Sequence, residues 1–579
     1  MRRLRFLILA LALLVWLLPS SMLAAPNDRQ LAYTLEPLFH SDGLRFRVEL
    51  SFRGDASGVT TLVLPNQWAG QKNLHQAIQN LRVVTRGAEL AATAEAHLKR
   101  VRHRPNQKLR IRYELAQDFA GAPQNETRYR VILRRDYFHW IGHGAWVHAD
   151  WPEDEPVRFS LRWKKLPQGW TLATSFGAAR RRQDFHASLS AFRHAVFAGG
   201  DFRLQLVPVR GQAVYAAVRG IWSFPDSDFA ALVQRIVEVE REFWQDFRSP
   251  YYLVTLLPLE APPGSYSFGG TGLTDSFALF CTPNATLDDL KTLLAHEYFH
   301  NWNAQKLGTL QPPEPQLYWF SEGFTDYYAY LLLLRGGLLS LDDYLQKHNE
   351  LLRDYYFLPV RADPNQRIVQ DYWNDAEVQK LPYRRGLVLA ANWNAEICRA
   401  SGGRHSLDDA MRDLLQAAKP ELTAADIAER VRRYGGRDVA PDIERYIERG
   451  ELMAPVEGAL GPHVEIALVE FPRFELGLDF HRLRAEKIIA GVQPGSAAYD
   501  AGLRDGQVVL RRSPIYLGDP AKPVEITIQD GAEERLHRYF PASREPVGVP
   551  QFALRPGSGE RERAETLSWL GRAAAPCAR

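Results

Sequence analysis

Between residue 26 and about residue 215, apolar and polar residues alternate in short runs. Leu44, Phe46, Val48 and Leu50 interleave with Arg45, Arg47 and Glu49, and Ile111 and Tyr113 interleave with Arg110 and Arg112. A period of two turns one set of side chains to a core and the other to water, so these runs predict strands. Turn residues such as Gly54-Asp55 and Pro167-Gln168-Gly169 separate them, and residues 26–215 are expected to form an all-β domain. From Phe224 the period changes. Val233, Ile236, Val237 and Val239 recur at helical spacing, an apolar strand follows over residues 251–257, and further helices are expected to about residue 450. Ser406 before Asp408 and Asp409 reads as a helix start, with Gly402-Gly403 closing the helix before it. Beyond residue 460 the chain returns to short strand-like runs such as Val524, Ile526 and Ile528. The pattern predicts a multidomain α+β chain with a β domain over residues 26–215, a mainly helical domain over 216–455 and a β tail over 460–570.

The chemistry concentrates in one helix. Thr286 offers an N-cap hydroxyl, Asp288 and Asp289 fill the first turn, and Leu290, Leu293 and Leu294 supply an apolar stripe. This helix carries His296-Glu297-Tyr298-Phe299-His300. Two imidazoles four residues apart share one helix face and can hold one metal ion, and Glu297 between them can act as general base. A catalytic zinc site has three protein ligands and an open position for water, so a third ligand is expected downstream. Glu322 fits: it lies in an aromatic run with Trp319, Phe320, Phe324 and Tyr327, where a carboxylate without a cation is costly. Asp326, one turn further on, is placed to accept the remaining ring N–H of a ligating histidine. Zinc held this way makes its water acidic near pH 7 and polarises a carbonyl, with Glu297 shuttling the proton to a leaving amine. Amide hydrolysis with one Zn2+ per chain is the expected reaction. Cobalt and manganese accept similar ligands, and ester or epoxide hydrolysis would use the same water.

The segments around His296–Asn303 and Trp319–Tyr328 resemble the glycyl aminopeptidase family of zinc metallopeptidases. That resemblance implies an N-terminal β domain, a thermolysin-like, mainly α catalytic domain with a small sheet, and a C-terminal PDZ domain. It also implies a role for Tyr383 in Leu381-Pro382-Tyr383-Arg384-Arg385-Gly386, where the family has a tyrosine opening a long helix near the zinc and donating to the oxyanion. From sequence alone Tyr383 could equally be a packing residue at a helix start. In one place the chain departs from the family. The family strand before the zinc helix reads Gly-Gly, then Leu or Met, then Glu-His, and its glutamate holds the substrate's free amino group. This chain reads Gly269-Gly270-Thr271-Gly272-Leu273, with Gly272 where the carboxylate is expected, which puts aminopeptidase action in doubt. The remaining glycine strand, residues 265–280, can pair with an extended peptide, so endopeptidase action fits equally well. In the tail, residues 475–480 and 493–506 resemble a PDZ domain, with the first as a carboxylate-binding loop for a peptide terminus. Gln507 replaces the usual Asp, and little room remains between Leu517 and Val524 for the helix that walls the peptide groove. A structural PDZ is therefore the favoured reading of the tail, and a working tether for a peptide terminus is the alternative. The rival to an enzyme is a non-catalytic peptide-binding protein that uses the β and PDZ-like domains around a relic metal site. Retention of Glu297 speaks against the relic, because a structural zinc has no use for a base.

Charge and composition narrow the partners. With 71 basic and 68 acidic residues the formal net charge is +3, which gives no basic stripe of the kind nucleic acid needs. Arg180-Arg181-Arg182 is read as a solvated face. His139, His143 and His148 near Asp150 invite a second metal site, but Gly142 and Gly144 argue against the helix that would align the first two. The three cysteines, Cys281, Cys398 and Cys577, show neither metal spacing nor a disulfide framework. Three arginines in the first five residues, thirteen apolar residues over 6–18 and Ala24-Ala25 read as a signal peptide over residues 1–25. This predicts export, to a bacterial periplasm or outside the cell, with membrane attachment only if that leader stays on as an anchor. A peptide or protein is the expected substrate.

Overall fold

The computed structural model describes residues 29–262, 264–531 and 533–571. The signal peptide expected over residues 1–25 and Cys577 lie outside the described residues. Among the described residues no helix is long and apolar enough to cross a membrane. The chain forms two compact units.

The first unit is β-rich. Strands β1 (Gln30–His40), β2 (Gly43–Arg53), β3 (Ile78–Val83), β4 (Lys108–Ala116), β5 (Pro156–Trp163) and β6 (Arg182–Ser188) form one sheet in the order β6-β5-β1-β2-β4-β3. The alternation read at residues 44–50 sets its register: Val48 lies opposite Leu35 and Tyr113, and all three are fully buried. Phe46, Phe138, Trp140 and Trp163 pack together, Phe46 edge-on to the other three, with ring centroids 4.7–6.2 Å apart, so aromatic packing supplies much of this core. Arg180, Arg181 and Arg182 are exposed.

Further along, β7 (Arg203–Val209), β8 (Gln212–Val218), β9 (Tyr251–Pro258), β10 (Phe268–Leu273) and β11 (Ser276–Cys281) make a five-stranded sheet in the order β7-β8-β9-β11-β10. Strands on both sides of residue 215 share it, because β8 runs parallel to β9. β11 is buried along its whole length, as expected of a strand covered on both faces. The glycine strand β10 is the sheet edge, antiparallel to β11, and Gly269–Gly272 are half-buried. Helix α1 (Asp226–Trp244) connects β8 to β9, and helix α2 (Leu287–Phe299) follows β11.

The second unit is built on helices α3 (Tyr318–Ser321), α4 (Gly323–Arg335), α5 (Leu341–Phe357) and α6 (Ala376–Ala400). Ser340 and Asp343 close a capping box at the start of α5. Asp375 caps α6 by accepting the N–H groups of Glu377 and Val378. The start of α6 thus lies seven residues ahead of Tyr383, which sits inside the helix after Pro382. In the tail, β12 (Val464–Phe471) pairs with β16 (Val547–Leu554), while β13 (Val509–Arg512), β14 (Val524–Asp530) and β15 (Glu533–Tyr539) form a separate sheet. Leu476, Leu483, Ile489 and Leu503 pack with Ile526 of β14 in one core. Residues 513–523 contain no helix. Asn349 of α5 holds β16 through both backbone groups of Phe552, donating to its carbonyl at 2.9 Å and accepting from its N–H at 2.7 Å.

Candidate metal centre

Helix α2 begins at a reciprocal cap. The Thr286 hydroxyl accepts the Asp289 N–H at 3.3 Å, and the Asp289 carboxylate accepts the Thr286 N–H at 2.8 Å. With Asp288 and Asp289 at the positive end of the helix, the segment is fixed in a register that puts His296 and His300 one turn apart. His300 lies just past the last helical residue, and its Nδ1 donates to the Asn303 carbonyl at 2.6 Å. That contact fixes the tautomer in which Nε2 keeps its lone pair.

Glu322 occupies the junction of α3 and α4. Its N–H donates to the Tyr318 carbonyl at 2.9 Å and its carbonyl accepts from the Asp326 N–H at 2.9 Å, so the helical turn runs through it. Asn303 is fully buried. It ties the histidine loop to this junction by donating to the Phe320 carbonyl and to Thr325 Oγ1, each at 3.1 Å. No local signal marks Asn303 for burial, since Asn301, Gln305 and Lys306 around it are polar; once buried, its amide must find partners.

One donor atom from each of His296, His300 and Glu322 lies within 4.8 Å of the others, and His300 Nε2 stands 3.4 Å from Glu322 Oε2. Two ligand atoms at about 2.1 Å from one zinc in tetrahedral geometry stand about 3.4 Å apart, so the donor set fits that ion. Among the described residues no other group of three such side chains converges. His139 instead contacts Thr255 Oγ1 at 3.2 Å, His143 contacts His194 at 2.9 Å, and His148 contacts the Ala149 carbonyl at 2.9 Å. Burial pushes His139 down to about 3 and His148 to about 4, as it does imidazoles that stay neutral inside a protein.

The Glu297 carboxylate accepts the Gly272 N–H at 3.1 Å, which ties this side chain to the glycine strand. Thr271 turns its hydroxyl to the Gly272 carbonyl at 3.4 Å. A Cβ on Gly272 would lie 3.4 Å from the Glu297 carbonyl oxygen and 3.7 Å from its Oε2. Tyr129 donates to the Gly270 carbonyl at 2.7 Å, and its phenol is raised by burial above its ordinary pKa.

Asp326 lies 3.5 Å from Arg384. The acceptor for His300 Nδ1 is the Asn303 carbonyl. Tyr383 places its hydroxyl 3.3 Å from that of Tyr372. Burial first, and the Glu322 charge second, raise the Tyr383 phenol well above its ordinary pKa, so it stays a protonated donor. Tyr372 is raised by the same two causes and was not singled out in the sequence. A glycine contact brings this part of α6 close to Glu322. A Cβ on Gly386 would lie 1.8 Å from the Trp319 carbonyl oxygen, and one on Gly323 would lie 2.4 Å from the Gly386 Cα. Only glycine fits at either position.

Residues 289–377 match the model of the M61 glycyl aminopeptidase family. This segment is similar to that family. The fold as a whole is similar to that of an aminopeptidase N family protein from Idiomarina loihiensis, with 16% identity, a TM-score of 0.69, and coverage of 94% of this chain and 100% of that one. An M1 zinc metallopeptidase from Deinococcus radiodurans is a looser likeness, at 16% identity over 74% of this chain and 95% of that one, with a TM-score of 0.46. No curated protein matches the chain. The matched segment carries His296, Glu297, His300, Glu322 and Asp326, and it ends before Tyr383. The match supports a peptidase.

Proposed function

We propose that the chain is an exported zinc metallopeptidase that hydrolyses peptide bonds, with His296, His300 and Glu322 as metal ligands. The observation that carries this reading is the convergence of two imidazole nitrogens and one carboxylate within 4.8 Å, in a chain whose Glu297 sits between the two histidines. A zinc ion bound there acidifies water toward a pKa of about 7 and polarises a carbonyl. Glu297, oriented by the Gly272 N–H, takes a proton as general base and returns it to the leaving amine. Tyr383, kept protonated, donates to the developing oxyanion. Glu322 and the two imidazoles contribute a single formal negative charge, which leaves the ion electrophilic. Export rests on the leader read in residues 1–25. The tail is taken as a PDZ-like β domain with a structural role, since the stretch after Leu517 has no helix to wall a peptide groove.

Strict aminopeptidase action is not part of this reading, because Gly272 supplies no anion for a free amino group. Free and N-blocked peptides assayed with wild type and Glu297→Gln test it. The expected result is cleavage of N-blocked peptides that Glu297→Gln lowers by about 10²–10⁴-fold. Cleavage of free peptides alone would make it an aminopeptidase, and no cleavage of either would favour the peptide-binding alternative.

A further inference from the structure

The edge strand β10 carries a cation that its fold leaves without a counter-ion. The Arg128 guanidinium lies against Gly269, where an added Cβ would meet its Nη1, Cζ and Nη2 at 3.1–3.2 Å. The same group lies over the Tyr129 ring with its centre 4.8 Å from the centroid. Its Nη1 donates to Asn125 Oδ1, a neutral acceptor, and its Nε is buried with no hydrogen-bond partner. Among the described residues no carboxylate pairs with it, whereas Arg130, two residues on, is held by Asp118. A guanidinium that is part buried and stacked on an aromatic ring, with donors to spare, is built to take a planar anion.

The strand fixes where that anion would sit. Along β10, Arg128 stands at Gly269, Tyr129 at the Gly270 carbonyl and Glu297 at the Gly272 N–H. Gly269 and Gly272 are three residues apart, about 10 Å along a strand at about 3.3 Å per residue. The site therefore lacks an anion at Gly272, where the resembled family holds an amino group, and has a spare cation one short peptide's length away. We infer that Arg128 recognises a carboxylate on the substrate about three residues from the bond that Glu297 serves, so that the site selects acid-bearing peptides. This inference rests on the peptidase reading for the position of the bond but not for the binding itself. The carboxylate can come from a peptide C-terminus or from an Asp or Glu side chain.

Two measurements on the full, zinc-loaded chain separate the claims. Calorimetry on the Glu297→Gln protein gives Kd, and turnover by the wild-type protein gives KM. Both use N-acetylated hexapeptides as free acids, as C-terminal amides, and as amides with one Asp moved along the sequence. At least one acid-bearing form is expected to bind about tenfold more tightly than the neutral amide, a gain typical of a charge-assisted pair. Whether that form is the free acid or an Asp amide identifies the source of the carboxylate. Adding Arg128→Gln removes the preference, Arg128→Lys retains part of it, and Arg128→Glu turns it toward Lys-bearing peptides. A preference that survives Arg128→Gln, or none in the parent protein, overturns the inference even if peptides are cleaved. A preference lost in Arg128→Gln and reversed in Arg128→Glu upholds it even if no peptide is cleaved, in which case only the peptidase reading falls.

Discussion

The segments that carry His296, His300 and Glu322 and the glycine strand use different parts of the chain. His296, His300 and Glu322 bring side-chain donors to one point from turns whose backbone is already hydrogen-bonded, as the N–H of Glu322 to the Tyr318 carbonyl shows. Gly269, Gly270 and Gly272 bring only backbone groups at a sheet edge, and the side chains around them, Arg128, Tyr129 and Glu297, come from elsewhere in the sequence. In the first region residue identity is the chemistry. In the second, what counts is the absence of a Cβ, which lets distant residues reach the strand. The difference predicts that substitutions in the first region abolish function, while those in the second retune it.

The largest effect that sharpens this contrast is expected at Tyr383. Tyr383→Phe removes the proposed oxyanion donor and should lower kcat by about 10²–10³-fold with little change in KM. Steady-state kinetics with an unchanged kcat would make Tyr383 a packing residue. Next comes Gly386→Ala, which forces a methyl group to within 1.8 Å of the Trp319 carbonyl oxygen. Such overpacking should cost about 3 kcal/mol or more in a denaturant midpoint experiment. Unchanged stability would mean that α6 and the Glu322 junction are not in tight contact. Gly272→Glu should be milder. It returns a carboxylate to the strand beside Glu297 and, by attracting an amine, should raise the ratio of free to N-blocked peptide cleavage by about tenfold. Equal loss on both substrates would show that Gly272 serves only to seat Glu297.

The smallest effect concerns pH. Buried His139 and His148 in the β-rich unit are pushed down to about 3 and about 4, and His348 in the helical unit to about 4. An unfolded histidine titrates near about 6.5, so below that value the unfolded chain binds more protons and the folded state loses stability. Tm should therefore be flat from pH 8 to 7 as far as these rings are concerned. It should begin to fall below about pH 6.5 and continue to fall toward pH 4. A Tm that stays level across that interval would show that these rings take up protons without leaving their buried sites.

The helices and the convergence of His296, His300 and Glu322 were legible because their signals are local. The spacing of His296 and His300 implies one helix face, and a glutamate among Trp319, Phe320 and Phe324 implies a cation. The β-rich start followed from the alternation around Leu44–Leu50 for the same reason. Three features were not legible in this way. The shared sheet across residue 215 depends on the parallel pairing of β8 with β9, which no short window encodes. The role of Asn303 depends on Phe320 and Thr325 lying in reach of its amide. The position of Tyr383 inside α6 follows from the Asp375 cap, whereas the Pro382 beside it reads locally as a helix start. The need for glycine at position 386 depends on the Trp319 carbonyl lying against it, which no local pattern encodes.

Metal content tests the central claim most directly. Wild type and Glu297→Gln, purified at neutral pH and dialysed, should each carry one zinc ion per chain by elemental analysis, while Glu322→Ala falls to background with its fold intact by circular dichroism. Zinc retained at full stoichiometry in Glu322→Ala, or none in the wild-type protein after zinc is supplied, would contradict the account.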